Sequence, residues 1–338
     1  YVIYNTVEKG DSNAGSKAGR DATEIAVEQG YKFVKLYESK GTHTTISNVI
    51  VGVLNTFKLC MQLKTNDIVF LQYPVNRLLM KQMYRMLKKK KVHIVTLIHD
   101  IDFLRNIPLG YKGVDGMREL ELSILSQSEF LICHNLYMIE TLKKYGLKSN
   151  YISLELFDYL YKGAEATKTG DGSVIVAGNL LKQKAGYIYK LKDESFKLSL
   201  YGSNLGDNFI YKNAEYHGSF SPDELIANMV GDYGLVWDGP KVETCAGKYG
   251  QYLKINNPHK VSLYVAAGVP VIVWKESALY PFVKKNGIGF GVKSLKEIDS
   301  EVKKYDYAEL VQNTRIIQKQ VRNGYFLKRA LSNVEKAI

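Results

Sequence analysis

The stretch Ile255–Trp274, INNPHKVSLYVAAGVPVIVW, decides the fold. It reads as loop, helix, tight turn and buried strand within twenty residues. Asn257 is a good N-cap, and Pro258 suits the first helical position, where its missing N–H costs nothing. Spacing of i, i+3 and i+4 puts Val261, Tyr264 and Val265 on one face. Ala266-Ala267-Gly268 closes the helix, with Gly268 free to take the left-handed conformation favoured there. The apolar run Val269–Val273 then fits a strand covered on both faces, as in parallel sheets. At the helix start, the amides of His259 and Lys260 point outward with an ammonium beside them, an arrangement that suits a diphosphate. The alternative is an ordinary α/β crossover with a solvated lysine, and spacing alone does not separate the two.

Outward from this segment the same pattern recurs. Apolar strand-like runs stand at 1–5, 31–37, 67–73, 92–98, 130–134 and 151–154, with helical stretches between them. A polar segment, Lys162 to Gly172, reads as a linker, after which strands restart at 173–177, 196–200, 215–218, 233–237 and 287–292. Ser221-Pro222-Asp223-Glu224 has the spacing of a helix capping box, and a long basic helix is expected from about Asp306. The sum is an α/β chain of two Rossmann-like, doubly wound domains in tandem, facing across a cleft. The boundaries fall at 1–160 and 170–310, with a C-terminal helix at 311–338 packing back toward the first domain. With 338 residues the chain is long for one core, which agrees.

Net charge is +12, yet the basic residues are spread out apart from Lys88-Lys89-Lys90-Lys91. That run ends an amphipathic helix (Leu79, Met83, Met86, Leu87), where cations complement the helix dipole. A solvated helix end is the simpler reading; attraction to anionic lipid or an acidic partner is the alternative. No zinc-finger or RNA-binding signature accompanies the charge, so nucleic acid is not expected as a partner. Cys60, Cys133 and Cys245 have no ligand spacing and point to a reducing compartment without disulfides. No secretory signal or membrane-spanning run is evident, so a cytoplasmic location is expected; the missing initiator Met suggests trimming. The glycine- and serine-rich loop Gly10–Gly19 opens a helix, but Gly15 and Gly19 do not form the dinucleotide fingerprint, so no nicotinamide cofactor is indicated.

Several blocks together resemble one family. They are the glycine/serine loop, Ile98-His99-Asp100 at a strand end, the strand Tyr233–Trp237, and His259 to Val273. The chain resembles bacterial GT-B glycosyltransferases of the β-1,6-galactofuranosyltransferase group, which includes glucosyltransferases acting on serine-rich adhesins. The resemblance implies a UDP-sugar donor in the C-terminal half and an acceptor in the N-terminal half. It implies transfer of a hexose, glucose or galactose/galactofuranose, to a glycan acceptor. That acceptor would be a GlcNAc-modified serine-rich glycoprotein or a cell-surface polysaccharide precursor, and the enzyme a homo-oligomer.

By position, Lys260 matches the lysine that binds the donor diphosphate, with Asn257 and His259 beside it. Lys182 follows Gly178-Asn179 where the family often has arginine, and lysine lacks the bidentate fork. Tyr201 and Gly202 stand where the family approaches the nucleotide. Glu243, the nearest carboxylate upstream of the central helix, is not assigned a catalytic role. On the acceptor side, Ser16 and Lys17 are candidates for binding, with a flexible loop as the alternative reading. Asp100 and His99 are the candidate catalytic pair; Asp100 and Asp102 could equally cap the next turn. Lysines and a helix terminus can neutralise a leaving diphosphate, and no Asp-x-Asp motif is present, so neither metal nor other cofactor is expected. Two further readings stay open at this level: a nucleotide-sugar epimerase on the same fold, and a non-catalytic binding module.

Overall fold

The computed structural model describes residues 1–7, 14–39, 45–106, 113–192 and 194–338. They form two compact units, 1–154 with 326–338, and 155–325.

The first unit holds a parallel sheet of strands β1 (Val2–Val7), β2 (Phe33–Ser39), β3 (Ile68–Tyr73), β4 (His93–Ile98), β5 (Phe130–Cys133) and β6 (Asn150–Ser153). Its order is β2-β1-β3-β4-β5-β6, so the winding reverses between β1 and β3. Between the strands run α1 (Ala14–Glu28), α2 (Ile46–Gln62), α3 (Arg77–Lys88), α4 (Gly113–Leu125) and α5 (Leu136–Lys144). Asn76 and Asn135 start α3 and α5 by accepting from Leu79 N and Met138 N, which satisfies amides with no intrahelical acceptor.

The second unit repeats the plan with β7 (Val174–Ala177), β8 (Leu198–Tyr201), β9 (Ala214–Tyr216), β10 (Tyr233–Val236), β11 (Val271–Trp274) and β12 (Gly289–Val292). All pairings are parallel, in the order β12-β11-β10-β7-β8-β9, and here the reversal lies between β10 and β7. The flanking helices are α6 (Lys182–Ala185), α7 (Pro222–Asn228), α8 (Gly247–Tyr252), α9 (His259–Ala266), α10 (Tyr280–Asn286), α11 (Ile298–Glu301) and α12 (Tyr307–Arg322). The runs VIVA and VIVW are buried at every position, as strands with helices on both faces require. The Ser221/Glu224 capping box forms as its spacing predicts.

Tyr264 fixes α9 to the point where the winding reverses. Its buried hydroxyl accepts from Ala177 N of β7 at 2.8 Å and donates to Leu235 O of β10 at 3.3 Å. Gly234 makes room for the ring, since a Cβ there would lie 2.2 Å from Tyr264 Cγ. One helical residue thereby ties both central strands and sets where the start of α9 stands.

Four expectations change. Asn257 is not the N-cap: the helix begins after Pro258, and the Asn257 amide donates instead to Glu155 O at 2.7 Å. The segment 162–172 belongs to the second unit and is no loose linker. The Asp232 carboxylate accepts from Thr169 N, Thr169 Oγ1, Gly170 N and Gly172 N at 2.8–3.1 Å. The basic C-terminal helix is two, since the chain turns at Gly324 (φ 73°) between α12 and α13 (Tyr325–Ala337). Finally, the part of the glycine/serine loop that holds Ser16 and Lys17 is the first turn of α1, while residues 10–13 lie outside the described residues.

α13 buries Phe326, Leu327, Ala330, Leu331 and Val334. It is pinned in the first unit by Lys328–Glu28 at 2.8 Å and by Tyr31 Oη donating to Glu335 at 3.0 Å.

Candidate active site

Each sheet presents polar groups at the carboxyl ends of its strands, where open α/β sheets take ligands. In the second unit the ends of β7 and β8 touch through backbone alone. Gly202 has φ 138°, and a Cβ there would sit 1.7 Å from Gly178 O. Only glycine allows this approach, and it lets a ligand come close to main-chain groups. Asn179 joins the two loops, its Oδ1 accepting from Leu181 N and Asn204 Nδ2, both at 3.0 Å. Lys182 opens α6, exposed, with Nζ 5.2 Å from the centroid of the Tyr189 ring. The Tyr201 side chain is not at this surface. It is fully buried, its hydroxyl accepts from Val230 N, and its ring stacks on His217 at 4.7 Å. Of this pair only Gly202 can offer contact to a nucleotide.

At β10, next to the winding reversal, Lys260 reaches from the first turn of α9 to Asp238. Its Nζ donates to Asp238 Oδ1 at 2.8 Å and to Trp237 O at 3.3 Å. The two side chains are 14% and 10% exposed. Lys260 is therefore neither solvated nor simply a free anion site: a carboxylate holds its ammonium beside the strand end. His259 packs against Tyr159 and Phe157, with ring centroids 5.4 and 5.8 Å away. Glu243 is far more exposed and pairs with Lys296 at 3.3 Å.

In the first unit, His99 and Asp100 follow β4. Gln72, at the end of β3, uses its amide nitrogen toward Gly19 O and Thr23 Oγ1. That orientation leaves its Oε1 to accept, so the His99 Nε2–H donates to it at 2.8 Å. Burial lowers the His99 pKa to about 4, and the ring is neutral at pH 7. His134, at the end of β5, donates Nε2–H to Ile98 O at 3.0 Å. Burial, and then the neighbouring His99, take its pKa down to about 3. Asp100 pairs with Arg105 at 3.1 Å and keeps 40% of its side chain exposed. Asp102 is paired with Arg77 and Arg105. Beneath that turn the fully buried Glu121 accepts from Tyr73 Oη at 2.5 Å and from Phe103 N at 2.8 Å. Lys17 is also inside: both oxygens of Asp21 accept from its ammonium, at 2.5 and 2.7 Å. Burial in α1 removes Lys17 from the acceptor-binding candidates, whereas Ser16 stays half-buried.

Residues 1–156 match the N-terminal domain of glucosyltransferase 3-like proteins, and residues 174–334 match the C-terminal domain. The beta-1,6-galactofuranosyltransferase WbbI of Escherichia coli K12 is 34% identical, over 95% of this chain and 94% of its own length. The chain belongs to the glucosyltransferase 3-like family. Sucrose-phosphate synthase from Thermosynechococcus elongatus has the same fold, with a TM-score of 0.66 at 11% identity over 99% of this chain and 98% of its own. So has HepE of Anabaena, solved in complex with UDP-glucose, with a TM-score of 0.60 at 11% identity over 100% and 99%. The fold is GT-B, and this glucosyltransferase 3-like protein is a glycosyltransferase.

Asp238 escaped the sequence reading. It stands 22 residues before Lys260, outside any motif, and only the meeting of β10 with α9 pairs them. Gln72 and His134 escaped likewise. A strand-end glutamine or histidine carries no signal until its neighbours are known.

Proposed function

We propose that this glycosyltransferase moves a hexose, glucose or galactose/galactofuranose, from a UDP-sugar to a glycan acceptor. The acceptor we favour is a GlcNAc-modified serine-rich glycoprotein or a cell-surface polysaccharide precursor. The observation that carries the donor reading is Lys260, held by Asp238 at the start of α9 beside the winding reversal. Two named proteins support it: the galactofuranosyltransferase relative, and the fold neighbour solved with UDP-glucose.

During transfer the bond between the anomeric carbon and the diphosphate oxygen breaks, and its electron pair leaves with UDP. The acceptor oxygen bonds to that carbon and gives up its proton. Lys260 and the start of α9 would stabilise the departing charge, with Lys182 and the backbone at Gly202 nearby. If the reaction inverts, Asp100, which follows β4 and keeps part of its carboxylate exposed, would take the proton. His99, neutral and held by Gln72, would fix the geometry of that strand end.

The proposal includes independence from metal, a homo-oligomeric state and a cytoplasmic setting. Among the described residues no group of three or more His, Cys, Asp or Glu side chains is gathered as a metal site, no helix is long and apolar enough to cross a membrane, and the three cysteines are free and buried. The test is UDP release from UDP-glucose, UDP-galactose and UDP-galactofuranose offered with glycopeptide and lipid-linked acceptors. Release that depends on an acceptor supports the proposal. Conversion of a UDP-sugar without acceptor would make the protein an epimerase, and no affinity for UDP would leave only a binding module.

A further inference from the structure

Helix α2 is more apolar outside than inside. Its buried face holds Gly52, Thr56, Leu59 and Cys60. Its exposed face holds Ile46, Ile50, Val51, Leu54, Phe57 and Met61, which keep 44–82% of their surface open to solvent. The spacing draws them into a ridge along the whole helix, about 25 Å for 17 residues. A chain that folds alone seldom leaves such a contiguous apolar surface without a purpose.

The charge around it indicates what covers the ridge. From Thr45 to His99 the sequence carries nine Lys and Arg and a single carboxylate, Asp67, so eight of the twelve net positive charges lie in this stretch. The basic run of residues 88–91 adjoins the C-terminal end of α2. Asn66 N donates to Lys91 O at 3.0 Å, and Lys90 is near enough to Cys60 for its charge to act on that thiol. At the other end Glu38 is paired with Lys35 at 2.6 Å. A second copy that laid its α2 parallel to this one would press two lysine runs together, which the charge opposes. Among the described residues the ridge stands open to solvent, with Ile46 at 82% exposure, rather than lining a groove for a peptide. A fluid apolar layer under an anionic surface satisfies both features.

We propose that α2 is a peripheral docking element whose apolar ridge enters an anionic lipid surface while the lysines at its C-terminal end meet the headgroups. This does not depend on which sugar is transferred, and its readouts need no sugar. The experiment is flotation of the full chain with phosphatidylcholine vesicles with and without phosphatidylglycerol, beside light scattering without vesicles. The wild type should float with the anionic vesicles, less so as salt rises. Ile50→Gln/Leu54→Gln/Phe57→Gln should bind about a hundredfold more weakly with an unchanged melting temperature, because the three side chains are already exposed. Lys88→Gln/Lys89→Gln should weaken binding about thirtyfold at low salt. Absence of wild-type binding, or equal binding by the triple variant, overturns the proposal. A wild-type oligomer that the triple variant abolishes, with vesicle binding unaffected, would overturn it too and assign the ridge to self-association.

Discussion

Replacing Lys260 with methionine probes the fold and the donor site together. Its ammonium lies 2.8 Å from a carboxylate that is 10% exposed, so the variant strands Asp238 with little water. Breaking a fully buried pair costs about 3–5 kcal/mol and losing an exposed one about 0–1; at this exposure about 2–4 kcal/mol is expected. Denaturant or thermal unfolding reads that loss. UDP binding should weaken separately, by the roughly ten- to hundredfold that a charge-assisted contact of about 1.5–3 kcal/mol supports. The double variant Lys260→Met/Asp238→Asn separates the effects, because an amide needs no counter-ion. It should recover most of the stability and none of the UDP affinity by calorimetry. A folded single variant with wild-type affinity would refute the donor assignment. Recovery of affinity in the double variant would refute it as well, by reducing Lys260 to the counter-ion of Asp238.

Asp100→Asn keeps the shape and removes the base, so kcat should fall by roughly 10²–10⁴ with UDP affinity unchanged; normal turnover, or a product that retains the anomeric configuration, contradicts the role. Exhaustive EDTA treatment should leave the transfer rate intact, and a loss restored by Mn²⁺ or Mg²⁺ would show that the lysines and helix start are not sufficient. In acid, His99 and His134 resist protonation until pH about 4 and about 3, below the 6.5 or so of an unfolded chain. A lowered histidine pKa stabilises the fold fully above about pH 6.5, and that contribution is lost as pH falls from there toward 4 and 3. Far-UV circular dichroism during acid titration should show it, and His134→Gln, which keeps a donor toward Ile98 O but cannot ionise, should flatten the slope.

Much of the fold was legible because buried parallel strands write themselves as unbroken apolar runs, and VPVIV after AAG is one. The strand-end positions of His99, Asp100 and Gly202 followed from the same runs. What stayed hidden depends on contacts between distant residues. A threonine- and glycine-rich segment looks like a linker, yet the Asp232 carboxylate orders it from sixty residues away. Lys17 looks like a loop cation until Asp21 takes it inside α1. Tyr201 ends its strand as expected, but which way its ring points is settled by Val230 and His217. On α2 the usual inference runs backwards, since periodicity would have placed its apolar ridge in the core.

The return of α13 to the first unit sets an order on synthesis. Residues 155–325 form one uninterrupted unit, whereas the first unit needs residues 326–338, which leave the ribosome after it. Until then Tyr31 lacks Glu335, Glu28 lacks Lys328, and the surface that Phe326 and Leu331 will cover is open. The half begun first is therefore completed only after the other has emerged. A premature stop near residue 325 would spare the contiguous C-terminal unit and cripple the N-terminal one, leaving a nascent chain for chaperones to hold.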